Sequence, residues 1–258
     1  MQLPLSDTKM ADKFTISKSA LEQFLSGCPA RYTFYQRYNL AHMPPALDFG
    51  IKVHKMIEAG LPNPHTPIEN LEAVETAERL LNLVEKAGYR ILAQEVKHLA
   101  PLTKDIQMFA LIDALAELDG VPILIDFKTG ARLWKKWKTM HGEIVVPKAA
   151  GFQGTIYLAP PYPGSTSDHW GDGVWPDEMH FLMAPKEGPT HIYKYHANEN
   201  DKQNLIAAAQ SLKDAVDKGR LPKNKGWLCE NCDWFHCCWE TPNWERHYVA
   251  RTHGESED

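Results

Sequence analysis

Two apolar runs joined by Asp119-Gly120, IQMFALIDALAEL and VPILIDFKTG, constrain this chain more than any other feature. Asp-Gly between two strand-like runs is a strong hairpin signal, because a type I′ turn needs φ > 0 at both central residues. With a two-residue loop, Leu118 stands opposite Val121. Continuing that ladder sets Asp113 opposite Asp126 on one face, with Cβ atoms about 5 Å apart. Lys128 lies two residues further on and points to the same face. Both runs are apolar on both faces, the pattern of central strands covered on either side. Charges buried there are costly unless they pair or hold a metal. Two facing carboxylates repel unless something positive lies between them, and a divalent cation with the neighbouring ammonium answers that. The plainer alternative is a structural Asp126–Lys128 ion pair on an exposed strand.

The remaining periodicity surrounds this hairpin with helices. TISKSALEQFLSG predicts a helix with a Ser19/Glu22 capping box and Gly27 as its stop. DFGIKVHKMIEAG predicts another, with Asp48 as N-cap, and IENLEAVETAERLLNLVEKAG is the clearest amphipathic helix. RILAQEVKHL is a third strand, before the hairpin. AAGFQGTIYLA reads as a short helix, EMHFLMAP and HIYKYH as strands, and DKQNLIAAAQSLKDAVDKG as a long last helix. This order predicts an α/β fold, a central mixed sheet with helices on its faces.

Composition excludes several classes. The chain has 258 residues and a formal net charge of -5, so a nucleic-acid partner would have to be met by a local basic patch. No apolar run reaches membrane-spanning length, and the opening MQLPLSDTKMADKF lacks the plan of a signal peptide. A cytoplasmic protein without membrane contact is expected, and its five cysteines then point to metal or redox chemistry before disulfides. There is no GxxxxGK[ST] phosphate loop.

Carboxylate oxygens suit Mg²⁺ or Mn²⁺, which polarise phosphodiesters and activate water. His54, mid-helix in GIKVHKMIE, can complete a metal site begun by two carboxylates, or pack as an ordinary helical histidine. Glu95 in AQEVK is a further carboxylate or an exposed strand residue. Gln153 and Tyr157 are four apart on one helix face and can hold phosphate or water, or cap the sheet. After Lys128 comes ARLWKKWKTM, in which Arg132, Lys135, Lys136 and Lys138 supply charge and Trp134 and Trp137 can stack on bases. The alternative there is a solvated basic loop anchored by its tryptophans. CENCDWFHCC holds Cys229, Cys232, Cys237 and Cys238, which invite a zinc site, although two adjacent cysteines suit one tetrahedral ion poorly.

In order, SKSALEQFLSGCPARYTF, DFGIKVH, ALID, LIDFKTG and GFQGTIY resemble the RecB-like branch of the PD-(D/E)XK nuclease superfamily, from about Thr15 to Trp239. ALID stands where that family has G-x-x-D, with Ala110 in place of the frequent glycine and Leu111 in place of the usual basic residue. The resemblance implies a restriction-endonuclease-like core and a metal-dependent deoxyribonuclease, an exonuclease that acts on single strands or DNA ends. It implies His54, Asp113, Asp126 and the Phe127 carbonyl as ligands of Mg²⁺ or Mn²⁺, Lys128 as the catalytic lysine, and Gln153 and Tyr157 as support for substrate or water. It also implies a 4Fe–4S cluster on Cys28, Cys229, Cys232 and Cys238, as in AddB and the CRISPR-associated RecB-like nucleases, with Zn²⁺ as the alternative and Cys237 spare. The expected layout is a single nuclease domain over 1–258, with a helical part at 15–60, the core sheet at 88–198 and the cysteine segment at 226–240. The implied partners are DNA and a helicase or a recombination or adaptation protein. The rival reading is a DNA-end-binding scaffold with little intrinsic cleavage.

Overall fold

The computed structural model describes residues 13–25, 28–60, 70–134, 137–139, 142–144, 146–161, 175–224, 229 and 232–250. In chain order the elements are β1 (Phe14–Ser17), α1 (Lys18–Leu25), α2 (Ala30–Arg37), β2 (Tyr38–Leu40), α3 (Pro45–Glu58), α4 (Leu71–Lys86) and β3 (Arg90–Pro101). Then follow β4 (Ile106–Leu118), β5 (Val121–Gly130), β6 (Trp137–Thr139), β7 (Gly142–Ile144), α5 (Lys148–Tyr157), β8 (Met179–Pro185), β9 (His191–Tyr195), α6 (Glu199–Asp217), α7 (Phe235–Trp239) and β10 (Tyr248–Ala250).

The expected turn forms: Asp119 has φ 53° and Gly120 φ 81°, and Leu118 pairs with Val121. β4 is the spine of a six-stranded mixed sheet ordered β1-β4-β5-β8-β9, with β3 along β4 as well. β3 runs antiparallel to almost all of β4. The opposite edge of β4 is therefore shared. β1 takes it in parallel from Ile106 to Phe109, and β5 takes it antiparallel from Ala114 to Leu118. Residues 110–113 have no strand on that edge among the described residues. Beyond Ile125, β5 leaves β4 and continues only with β8, Asp126 beside Phe181 and Lys128 beside Met183.

Helices cover both faces. Ala20 and Leu21 of α1, Ile156 of α5 and Leu205, Ala209 and Leu212 of α6 pack with Ile112, Leu124, Phe181 and Met183 of the sheet. Val53 and Ile57 of α3 and Ala77, Leu80 and Val84 of α4 pack with Ala114, Ile125, Phe127 and Leu182. Each fully buried large aliphatic side chain contributes roughly 1.5–3 kcal/mol. A third, smaller cluster joins α2 and β2 to the C-terminal segment through Trp234, Cys237 and Tyr248.

Several expectations need correction. Residues 14–17 are a strand, not the start of a helix, so the sheet gathers a member from outside 88–198. The cap of α1 is then Ser17, whose Oγ accepts from Ala20 N at 3.2 Å, rather than Ser19. α3 starts at Pro45, a residue suited to a first turn because it lacks an N–H. Asp48 lies within that turn and pairs with Lys52 at 2.9 Å. α6 starts two residues early because Asn198 and Asp201 form a reciprocal capping box.

Candidate active site at the break in the β4 edge

The ladder between β4 and β5 stops at Ala114 and Ile125, one pair short of the expected Asp113–Asp126 pair. The reason is local. Asp113 Oδ2 accepts a hydrogen bond from Phe127 N at 2.7 Å, so the carboxylate takes the place of a strand partner where β5 turns away. The two carboxylates consequently serve different neighbours. Asp113 meets α3, with its Oδ2 3.5 Å from Nδ1 of His54. Nε2 of the same imidazole lies 2.9 Å from the Phe127 carbonyl oxygen, and its ring meets the Phe127 ring edge-on. Helix α3 holds His54 there because Val53 and Ile57 bury on either side of it.

Asp126 faces α5. Its side chain is 2 % exposed, and its Oδ2 lies 2.5 Å from the Lys128 ammonium. Gln153 Nε2 donates to Asp126 Oδ1 and stands 2.9 Å from the Tyr157 hydroxyl. Trp175 Nε1 donates to the Tyr157 carbonyl at 3.0 Å, fixing the end of α5. Sequence spacing thus foresaw the Gln153–Tyr157 face, and the structure brings it onto Asp126.

The electrostatics follow from burial. Burial raises the Asp126 carboxyl, and Lys128 only partly offsets this while Asp113 adds to it. Burial depresses the Lys128 ammonium, but the charges of Asp126 and Asp113 outweigh it and the net shift is upward. For His54, burial is likewise outweighed, by the hydrogen bond and charge of Asp113 and the charge of Asp126, and its pKa is pushed up to about 9. Burial and the same two carboxylates hold the Tyr157 phenol well above its ordinary value.

Glu95 is opposite Asp113 in register but drops out of the β3–β4 ladder, with φ at 49°. It lines a small hollow with His54, Ile57, Glu58, Gln94, Asp113 and Phe127. Burial, then Asp113 and Glu58, raise its carboxyl. Glu58, one helical turn after His54, was not singled out from the sequence; its i,i+4 spacing from His54 was the available signal. A carboxylate, an imidazole and a backbone carbonyl suit a divalent cation chemically. As they stand, no three His, Cys, Asp or Glu side chains among the described residues lie at metal-ligand spacing.

The same holds for the cysteines, although four of them are neighbours. Cys28 Sγ accepts from Asn224 N at 3.4 Å, and Cys229 Sγ approaches Asn224 O at 4.0 Å. Burial raises the Cys238 thiol, which also feels Cys28, Cys232 and Cys229. Cys237 instead lies buried against Trp234 and Tyr248, its thiol pushed up to about 11 chiefly by burial.

The basic-aromatic segment departs from a plain loop. Trp137 and Lys138 belong to β6, which pairs with β7 as a short hairpin. The Trp134 ring, expected as a base-stacking surface, packs 5.3 Å from Phe181 and 4.9 Å from Tyr193, centroid to centroid. It anchors the segment to the core. Arg132 is exposed, and Lys135 and Lys136 lie outside the described residues.

Residues 68–239 match the family model of the PD-(D/E)XK nuclease superfamily. Among solved structures, a "Putative exonuclease" from Eubacterium rectale superposes with a TM-score of 0.56 at 16% identity, covering 93% of this chain and 94% of that one. SSO0001 is similar at a TM-score of 0.41 and 15% identity, covering 85% and 83%. At 16% identity the likeness to the first of these concerns the fold alone. No curated protein matches.

Proposed function

The chain belongs to the PD-(D/E)XK nuclease superfamily, and on that premise we propose that it is a metal-dependent deoxyribonuclease of the RecB-like branch, an exonuclease acting on single-stranded DNA or DNA ends. The observation that carries this reading is the break in the β4 edge. There Asp113, the His54 imidazole and the Phe127 carbonyl converge beside the buried Asp126–Lys128 pair. Asp113, Asp126, His54 and the Phe127 carbonyl would hold Mg²⁺ or Mn²⁺. When bound, that ion supplies Lewis acidity toward the phosphodiester and makes a water nucleophilic at neutral pH.

The chain's own groups do the rest. Gln153 donates to Asp126 Oδ1, which leaves Oδ2 for a cation or the Lys128 ammonium. Lys128 offsets negative charge as it develops on the phosphate and orients the water. Tyr157 stays a neutral phenol, available to hold the Gln153 amide in position. Glu95 is placed to add a carboxylate on the His54 side.

At the cysteines the proposal is a 4Fe–4S cluster on Cys28, Cys229, Cys232 and Cys238, tying the start of the chain to its end. The shared contacts of Cys28 and Cys229 with Asn224, and the burial of Cys237 elsewhere, support that choice of ligands. A helicase or a recombination or adaptation protein is the partner class that fits an end-directed nuclease.

The test uses anaerobically purified protein with end-labelled linear and circular DNA, in Mn²⁺, Mg²⁺ or EDTA. Divalent-dependent loss of label from linear DNA is expected, with Asp126→Asn inactive. No cleavage with either ion, or equal cleavage by Asp126→Asn, would overturn the reading.

A further inference from the structure

Lys18 is the first residue of α1 and follows directly on Ser17, the last residue of β1, which pairs with Phe109. It therefore stands at one end of the unpaired stretch of β4, while Asp126 and Lys128 stand at the other. Four residues of strand, about 13 Å, separate the two ends, and no strand pairs with this stretch of the β4 edge among the described residues. α1 packs on β4 and on α5, which carries Gln153, so its first turn belongs to the same wall of the site. The charge of Lys18 is felt by Asp126, and that of Glu22 by Lys128.

The two lysines are held very differently. Lys128 is locked at 2.5 Å onto a buried carboxylate. The Lys18 ammonium has Glu22 as its partner at 3.6 Å, an i,i+4 pair with side chains 24 % and 37 % exposed. Pairs of that kind contribute only about 0.3–0.5 kcal/mol, so Lys18 can exchange Glu22 for a stronger anion at little cost. A phosphate held in a charge-assisted hydrogen bond is such an anion.

We infer that Lys18 is a substrate-binding residue, which leaves Glu22 to grip a backbone phosphate of single-stranded DNA that approaches Asp126 and Lys128 past the unpaired stretch of the β4 edge. This rests on the nuclease reading and adds to it the path of the strand, along α1 toward β5. Glu22 is then a competitor for Lys18, an anion that substrate must displace.

The test is equilibrium binding of a fluorescein-labelled oligothymidylate of about 20 nucleotides, longer than a usual single-strand site, in EDTA over a series of salt concentrations. Each phosphate contact contributes about 0.7 to the slope of log affinity against log salt for single strands. Lys18→Gln should lower the slope by about 0.7, Lys18→Arg should retain it, and Glu22→Gln should tighten binding. The opposite signs for Lys18→Gln and Glu22→Gln separate substrate contact from a structural pair, since loss of a helix staple would weaken both. An unchanged slope in Lys18→Gln, or weaker binding in Glu22→Gln, overturns the inference while leaving the nuclease reading intact. Failure of the parent protein to bind or cut DNA overturns both.

Discussion

Removing Lys128 should cost far more than removing Asp126, although they form one ion pair. The Asp126 side chain is 2 % exposed and the Lys128 side chain 26 %, with 2.5 Å between the charged atoms. Lys128→Met leaves a carboxylate buried without its cation. Breaking a buried pair from one side costs about 3–5 kcal/mol. Asp126 can escape part of that by taking up a proton, so about 3 kcal/mol is expected near neutral pH. At about 2–4 °C per kcal/mol for a chain of this size, the melting temperature falls by about 6–12 °C. Asp126→Asn removes the buried charge, retains an oxygen for the Gln153 amide, and leaves an ammonium that can turn toward water. Its stability should stay within about 1 kcal/mol of the parent.

The pH dependence distinguishes this from loss of packing. With Lys128 gone, the folded-state pKa of Asp126 lies above its unfolded value. The native state then binds more protons than the unfolded state between the two, and stability is lost as pH rises through that window. Lys128→Met should therefore recover much of its deficit near pH 5, whereas Asp126→Asn, which removes the raised carboxyl altogether, should show the opposite trend, its deficit growing as pH falls through that window. Denaturant unfolding in EDTA at about pH 5 and about pH 7.5 reads both, beside a Mn²⁺ cleavage assay in which both variants are inactive. Equal losses in the two variants, or a Lys128→Met deficit independent of pH, would refute the argument.

Gly154→Ala should destabilise by about 1–3 kcal/mol, because a Cβ there would lie 2.5 and 2.7 Å from ring carbons of Tyr195; thermal melting checks it. His98 is fully buried, stacked on Trp175, and burial lowers its pKa to about 4 against an opposing backbone hydrogen bond at Ile156. The unfolded chain then takes up a proton that the native one refuses, so stability falls as pH drops from about 6.5 to about 4. Acid unfolding of His98→Gln should lack that share of the pH dependence. Anaerobic protein should absorb broadly near about 400 nm through a cysteine-ligated cluster. Cys28→Ala should bleach and destabilise it while Cys237→Ser leaves the colour; metal analysis finding zinc without iron would overturn the cluster assignment.

What the chain declares locally is the hairpin and its chemistry. Asp119-Gly120 sets a turn whose geometry depends on two residues, so the register from Leu118–Val121 to Ala114–Ile125 could be read by counting. Helical periodicity likewise placed Gln153 and Tyr157 on one face and His54 in the middle of a helix. Tertiary structure decided the rest, because it depends on partners distant in sequence. TIS becomes strand only because β4 offers a free edge some ninety residues later, an approximate separation that no short-range pattern encodes. The ladder ends at Ala114 because the Asp113 carboxylate satisfies Phe127 N, a choice between two hydrogen-bond partners that alternation cannot express. Trp134 turned inward because Phe181 and Tyr193 come beside it from strands much later in the chain. The two carboxylates were therefore legible as a pair, but which neighbours each one serves was settled by where β5 parts from β4.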